Sequence, residues 1–259
     1  MNILVCIKQV PDTTEVKLDP KTGTLIRDGV DSIINPDDKA GIEEAIKLKE
    51  KHNATVTVLT MGPPQAKKAL NEAYAMGADR VILLTDRAFA GADTWATSKT
   101  LASAIKKIDY DLIIAGRQAI DGDTAQVGPQ IANHLNIPSI TYVEKLEVNE
   151  GEILVNRAFE DGHQVIKAKT PLLITTLKEM NQPRYMRVSR LYEIMTEDKV
   201  ELWTLKDLDI DKDEIGLKGS PTKVKKSFTK PLKGKGIIYK TDEKEEANII
   251  LNALKEKLI

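Results

Sequence analysis

Cysteine is nearly absent from this chain of 259 residues: Cys6 stands alone. A single thiol excludes an internal disulfide framework and a cysteine-based zinc cluster, and it makes a reducing compartment the default. Long apolar runs are missing too, since none approaches the roughly 20 residues that a membrane helix needs. The opening MNILVCIKQV has no basic region ahead of its apolar stretch and no small-residue cleavage site, so it reads as a first strand and not as a signal peptide. A cytoplasmic protein without membrane insertion is the expectation. An excess of either charge is also lacking, with 38 Lys and Arg against 39 Asp and Glu. That balance removes the long-range field of a nucleic-acid binder and leaves small anionic ligands open. There is no catalytic triad signature, no H-E-x-x-H, no C-x-x-C and no G-x-x-x-x-G-K-[ST] phosphate loop. His52, His134 and His163 are isolated in sequence and read as surface or packing residues.

What is present is a hydrophobic period that switches back and forth. NILVCIKQV has the pattern of a buried strand, and AGIEEAIKLKEKH places Ile42, Ala45 and Ile46 at helical intervals. ATVTVLTMG is β-branched and ends in glycine; PPQAKKALNEAYAMGA opens with proline at a permitted helix start and closes at Gly77. RVILLTD is a strand, DTWATSKTLASAIKKI a helix with Asp93 or Thr94 as candidate N-cap, and YDLIIAG the next strand. AQVGPQIANHLNI reads as a further helix, with Gly128 and Pro129 tolerable only near its first turn. This alternation predicts an α/β fold, a mainly parallel open sheet flanked by helices.

Beyond about Ile140 the segment TYVEKLEVNEGEILVNRAFEDGHQVIKAKTPLLITT alternates with period two around Asn-Glu-Gly and Asp-Gly turns, which predicts a β-hairpin extension of antiparallel strands. After Leu205 the periodicity fades, and GLKGSPTKVKKSFTKPLKGKGIIYK reads as a basic extended connector. The final EKEEANIILNALKEKLI places Ala247, Ile250, Leu251, Leu254 and Leu258 on one helical face. The expected organisation is therefore an α/β domain over 1–205 and, over 206–259, a connector with a C-terminal helical arm that docks elsewhere.

Open parallel sheets bind ligands beyond the C-terminal ends of their strands, near the switch in strand order. The candidate ends are Cys6 to Pro11, Met61 to Pro63, Thr85 to Gly91 and the loop GRQAIDGDTAQVG from Gly116. Glycines let backbone approach a ligand, and the following helix aims free N–H groups at phosphate. Asp121 and Asp123 fit a nucleotide loop if main-chain amides hold the diphosphate and the two carboxylates turn away, accepting turn amides or sugar hydroxyls. An Ile-Asp-Gly-Asp turn is equally a plain structural device, so the loop alone leaves both readings open.

Several motifs occur together in order: VCIKQVPD at Val5 to Asp12, NPDDKAGIEEAIKLKE at Asn35 to Glu50, MGP at Met61 to Pro63, AMGADR at Ala75 to Arg80, the Gly116 to Gly128 loop, and NQPRY at Asn181 to Tyr185. Along almost its whole length the chain resembles the beta subunit of electron transfer flavoproteins. The resemblance implies a fold related to adenine-nucleotide-binding, Rossmann-like proteins, and pairing with a flavin-carrying alpha subunit on which the C-terminal arm would dock. It maps a nucleotide site onto Cys6, Asn35, Pro36, Asp37, Asp38, Met61, and Gly116, Arg117, Gln118, Ala119, Ile120, Asp121, Gly122, Asp123, Thr124, Ala125, Gln126 and Val127.

FAGADTWATS, Phe89 to Ser98, resembles the electron-bifurcating branch of that family, which implies FAD in this site with NADH as electron donor; the alternative is AMP held structurally. Asp93, Thr94, Thr97 and Ser98 supply hydroxyls and amides that an extended dinucleotide can use, while Asp93 and Thr94 also suffice as a simple helix cap. Arg117 is a candidate to stabilise an anionic reduced flavin. The segment 178–195 resembles the family's recognition loop, which implies docking on an acyl-CoA dehydrogenase or related flavoenzyme through Arg184, Met186, Val188, Leu191 and Tyr192, with ferredoxin or flavodoxin as the low-potential acceptor. The family's leucine anchor aligns approximately with Val188, a shorter side chain. A stand-alone adenine-nucleotide-binding module is the remaining alternative.

Overall fold

The computed structural model describes residues 1–12, 31–149, 152–225, 234 and 238–255. The polar excursion after the first strand, the Asn-Glu-Gly turn, most of the basic connector and Leu258 of the terminal stripe fall wholly or partly outside them. Two compact units are present, Met1–Lys225 and Lys226–Ile259.

The first unit is built on a nine-stranded sheet. Its parallel part comprises β1 (Asn2–Cys6), β4 (Thr55–Met61), β5 (Arg80–Leu84), β6 (Leu112–Gly116), β10 (Leu172–Thr176) and β11 (Val200–Trp203), with the start of β7 (Ser139–Asn149). β8 (Glu152–Phe159) and β9 (Gly162–Lys169) continue it antiparallel, giving the order β11-β5-β4-β1-β6-β10-β7-β8-β9. The short strands β2 (Gln9–Pro11) and β3 (Ser32–Ile34) pair separately. Buried strands read as continuous apolar runs because both faces are covered. Ile3, Val5, Val56, Val58, Val81, Leu83, Leu112 and Ile114 enter one core. Leu4, Leu59, Ile82, Leu84, Ile113 and Leu173 enter the other.

Helix α1 (Pro36–His52) and α2 (Lys67–Met76) cover the first face, and α3 (Thr94–Ile105) and α4 (Val127–Leu135) the second. α1 starts on Pro36, whose missing N–H costs nothing there, and ends on Asn53 in the left-handed region. Gly128 and Pro129 lie in the first turn of α4, as the sequence requires. The mainly parallel sheet flanked by helices is thus the observed fold.

Two elements differ from the sequence reading. Residues 172–176 do not extend the hairpin ladder; β10 inserts between β6 and β7 and runs parallel to both. The reason is in its side chains: Leu172, Leu173 and Ile174 are buried on both faces, which only a central strand allows. The compact unit also runs past 205 to Lys225, because Leu208 and Ile215 enter the second core. In the second unit, α6 (Glu243–Lys255) is capped by Asp242, whose Oδ1 accepts the N–H groups of Lys244 and Glu245. Among the described residues no helix is long and apolar enough to cross a membrane.

α1 approaches the sheet closely at Gly41, where a Cβ would stand 2.9 Å from Ile114 Cγ2 and 3.1 Å from Thr176 Oγ1. Gly41→Val is expected to destabilise the domain by about 1–3 kcal/mol through overpacking. In a domain of this size each kcal/mol lowers the melting midpoint by roughly 2–4 °C. An unchanged midpoint in a thermal melt would show that α1 can lift off without loss.

Candidate functional site

The strand order reverses between β1 and β6, and the chain leaves β1, β4, β5, β6 and β10 at the same edge of the sheet. A switch point of this kind opens a crevice where ligands settle. Its walls are held by the first turn of α1. Asp38 Oδ2 accepts the N–H of Lys8 at 2.6 Å, and Asp38 Oδ1 accepts that of Gly116 at 3.0 Å. One buried carboxylate therefore joins the exits of the two strands that flank the switch. Gly116 is required for that approach, since a Cβ there would lie 2.0 Å from Asp38 Oδ1.

Asn35 precedes α1 yet does not cap it with its side chain. Its Nδ2 donates to Gln118 O at 2.8 Å, and its Oδ1 accepts from Ile120 N at 3.1 Å, clamping the loop after β6 from both sides. Asp37 Oδ1 accepts Lys178 N at 2.9 Å, which ties down the chain after β10, and Thr176 Oγ1 donates to Asp37 O at 3.0 Å. Asn35, Asp37 and Asp38 are all buried. Their side chains position the loops, so a ligand in the crevice would meet the loops and not these carboxylates. Burial raises the Asp37 carboxyl, opposed by the Lys178 bond and by Arg117.

The loop from Gly116 to Val127 folds on its own polar groups. Asp121 accepts from Lys8 Nζ at 2.6 Å, and Asp123 accepts from Gln118 Nε2 at 2.6 Å. Both acids are thus engaged within the protein. Gly122 N and Asp123 N donate to Ala119 O. Asp123 and Ala125 adopt φ near 50°, a left-handed conformation that costs of order 1–3 kcal/mol for a side-chain-bearing residue and persists where neighbours fix it. A Cβ on Gly122 would meet nothing within 4 Å, so packing does not require glycine there. At Gly128 it does, because a Cβ would come within 2.8 Å of Thr175 Cγ2. The first turn of α4 then leaves the N–H groups of Val127 and Gly128 without intrahelical acceptors at the crevice edge.

Cys6 ends β1 in a buried position, where desolvation and then the Asp38 charge push its thiol up to about 12. It is a packing thiol, not a nucleophile. Met61 ends β4, half-buried against the second core. Asp93 caps α3 through Ala96 N at 3.0 Å, and its other oxygen accepts both Thr222 N and Thr222 Oγ1. Its carboxylate clasps Thr222 to the start of α3, and its main-chain N–H donates to Ser220 Oγ at 2.8 Å. Thr94 Oγ1 donates to Gln126 Oε1 at 2.8 Å and Ser98 Oγ to Gln130 Oε1 at 3.2 Å, bringing the starts of α3 and α4 together; Thr97 lies half-buried in the same turn.

Arg117 stands at the mouth. Its Nε is 3.4 Å from Asp37 Oδ2, an ion-pair separation without hydrogen-bond geometry, and that Nε is buried with no acceptor. Lys8, Thr176 and Gln130 were not among the residues expected from sequence. Nothing in their spacing marks them, because each acts on a partner distant in the chain.

The residues expected to dock a partner form a separate cluster on the flank of α1 and α2. Arg184 makes paired bonds to Glu43 and Glu50, and Arg187 also reaches Glu50. Arg190 donates to Tyr74 O, and Tyr74 Oη donates to Glu193. These contacts pin α5 (Val188–Thr196) and its approach, so Arg184 serves as an anchor. Apolar groups are left outward: Tyr185 97%, Val188 80%, Tyr192 69% and Met195 85% exposed, with Met186 exposed and Leu191 half-buried. Tyr185 and Met195 extend the patch beyond the residues read from sequence.

Comparison with known proteins identifies the family. The electron transfer flavoprotein domain family matches residues 22–208. An electron transfer flavoprotein subunit beta from Clostridium acetobutylicum is 59% identical over 257 residues, covering 99% of each chain. The caffeyl-CoA reductase-Etf complex subunit CarD from Acetobacterium woodii is 52% identical over 262 residues, covering 100% of each. The acryloyl-CoA reductase electron transfer subunit gamma from Anaerotignum propionicum is 46% identical over 265 residues, covering 99% of each.

Asp38→Asn removes one of two acceptors facing main-chain amides and is expected to destabilise the fold by about 1–3 kcal/mol, measured by urea unfolding. Burial raises the Asp38 carboxyl from 3.8 to about 7, against the lowering pull of its Asn35, Lys8 and Gly116 bonds. The folded state then binds the proton more tightly than the unfolded chain, so this contribution is full below 3.8 and is lost as pH rises through about 7. The stability gap between wild type and Asp38→Asn should accordingly shrink over that window. A gap independent of pH there would mean that Asp38 titrates like an ordinary carboxylate.

Proposed function

Since the chain belongs to the electron transfer flavoprotein family as a beta subunit, with an electron-transfer role, we propose that it binds FAD in the crevice at the β1/β6 switch and works in flavin-based electron bifurcation with an alpha subunit. Bound there, FAD would supply hydride-accepting and one-electron chemistry, with NADH as donor, the alpha-subunit flavin and a partner enzyme as one acceptor arm and ferredoxin or flavodoxin as the other. The observation that carries it is the Gly116–Val127 loop, clamped by Asn35 and Asp38, with its acids already paired and the start of α4 open to an anion.

The chain's own residues have defined tasks. Asn35 and Asp38 set the loop, Val127 and Gly128 offer main-chain donors to a diphosphate, and Thr94 and Gln126 form a polar seam where an extended dinucleotide can lie, backed by the buried Ser98, whose hydroxyl stays within the protein. The orphaned Nε of Arg117 suits an electron-rich ring bearing acceptor atoms. Names of relatives support a reductase partner, since two of them belong to caffeyl-CoA and acryloyl-CoA reductase systems. The outward apolar patch of α5 supports docking on an acyl-CoA dehydrogenase or related flavoenzyme. The arm carrying α6, with Ile250, Leu251 and Leu254 along one side, is proposed to dock on the alpha subunit.

A second reading has its own support: Asp93 is fully committed to capping α3 and clasping Thr222, which is the role a simple helix cap would have. In that case the crevice holds AMP and the protein is a non-bifurcating carrier.

The purified heterodimer is expected to release two flavins on denaturation, quantified by absorbance and chromatography; one flavin together with one AMP establishes the second reading instead. Val188→Asp is expected to weaken binding to the partner dehydrogenase by at least about tenfold, the effect of losing one well-placed apolar contact of roughly 1.4 kcal/mol. Flavin content should not change. Undiminished partner affinity, measured by calorimetry, would remove the α5 patch from the interface.

A further inference from the structure

Among the described residues Tyr142 is the one aromatic side chain in the left-handed backbone region, at φ 60°. Its Cβ makes that conformation unfavourable. An added residue in β7 creates it: Ile140 pairs with Ile174 and Val143 with Thr176, so two residues of β7 face one of β10. This is a bulge, a feature that re-aims a side chain and recurs beside functional sites. It falls where β7 stops following β10 and begins to pair with β8.

The core fixes the bulge. Thr175 is buried, its Oγ1 accepts Tyr142 N at 3.1 Å, and its methyl packs where Gly128 opens α4. The Tyr142 ring consequently stands 5.9 Å from the guanidinium carbon of Arg117. Arg117 thus lies near a carboxylate, Asp37, and a π face, while its buried Nε is left without a hydrogen-bond acceptor. A guanidinium held by charge and a ring face keeps its donors for another acceptor.

We propose that Tyr142 is a positioning residue of the crevice: the strained bulge holds its ring against Arg117, and the ring keeps the guanidinium charge available to the bound flavin. The inference rests on the FAD reading above. A positive charge beside a flavin favours its reduced, anionic form and raises the midpoint potential. Tyr142 acts on that potential only through Arg117.

The test is spectroelectrochemical titration of the beta-subunit flavin in the intact heterodimer, with flavin content and melting temperature recorded alongside. Arg117→Gln lowers the potential. Tyr142→Gly removes the ring while accepting φ 60° without strain, so it lowers the potential in the same direction by a smaller shift with no backbone penalty. Tyr142→Phe, which keeps the ring, leaves the potential at the wild-type value. In the Arg117→Gln background Tyr142→Gly adds nothing, as expected of two residues acting as one unit. An unchanged potential in Tyr142→Gly, or an equal shift with and without Arg117, overturns the proposal. A heterodimer with one flavin ends the FAD reading and this inference together, whereas two flavins with potentials indifferent to Tyr142 end this inference alone.

Discussion

The carboxylate of Asp38 bridging the N–H groups of Lys8 and Gly116 is the contact on which the crevice depends. Two strands that diverge at a switch point leave their exits free to splay, and buried main-chain donors there need an acceptor. Asp38 supplies both from the first turn of α1, where the helix N-terminus also favours a negative charge. Gly116 has to be glycine because the acceptor sits where its side chain would be. The spacing of α1, β1 and β6 is thereby coupled to the shape of the loop that follows.

From that anchor the polar residues fall into two groups. Asn35, Asp37, Asp121, Asp123 and Asp93 satisfy loops and caps inside the protein. The N-terminal amides of α4, the Thr94/Gln126 pair and the Arg117 guanidinium remain at the edge of the sheet. On the FAD reading, this division lets an acidic loop tolerate an anionic ligand: the charge of Asp121 is offset by Lys8, and Asp123 is turned onto the Gln118 amide by a hydrogen bond. Strain at Asp123, Ala125 and Tyr142 is gathered around the same opening, where neighbouring contacts hold it in place.

The cluster on the flank of α1 and α2 follows a similar logic in reverse. Arg184, which sequence alone suggests as a contact residue, is turned onto Glu43 and Glu50, and Arg187 and Arg190 onto Glu50 and Tyr74, so that their fixed forks hold α5 against the domain. The side chains left outward are apolar and aromatic, Tyr185, Val188, Tyr192 and Met195. Rigid support beneath an apolar patch lowers the ordering cost of binding.

Much of the fold was legible along the chain. The alternation of strand and helix periods, proline at Pro36, glycine at Gly77 and the early Gly128-Pro129 pair carry local physics that survives folding. The candidate strand ends at Cys6, Met61 and Gly116 followed from the same alternation and do lie on one edge. What tertiary structure decided was every pairing at a distance. β10 belongs among parallel strands because both its faces are buried, a fact that period-two patterning cannot distinguish from a hairpin. Asn35 reaches across to Ile120, Asp93 to Thr222 and Tyr142 to Arg117, contacts between residues far apart in the chain whose choice of partner depends on how the sheet stacks them. Local sequence determined which elements form and where their strands end, because periodicity and capping act over a few residues; the closed fold alone determined which polar groups are consumed and which are left over, because that depends on what burial brings within hydrogen-bond reach.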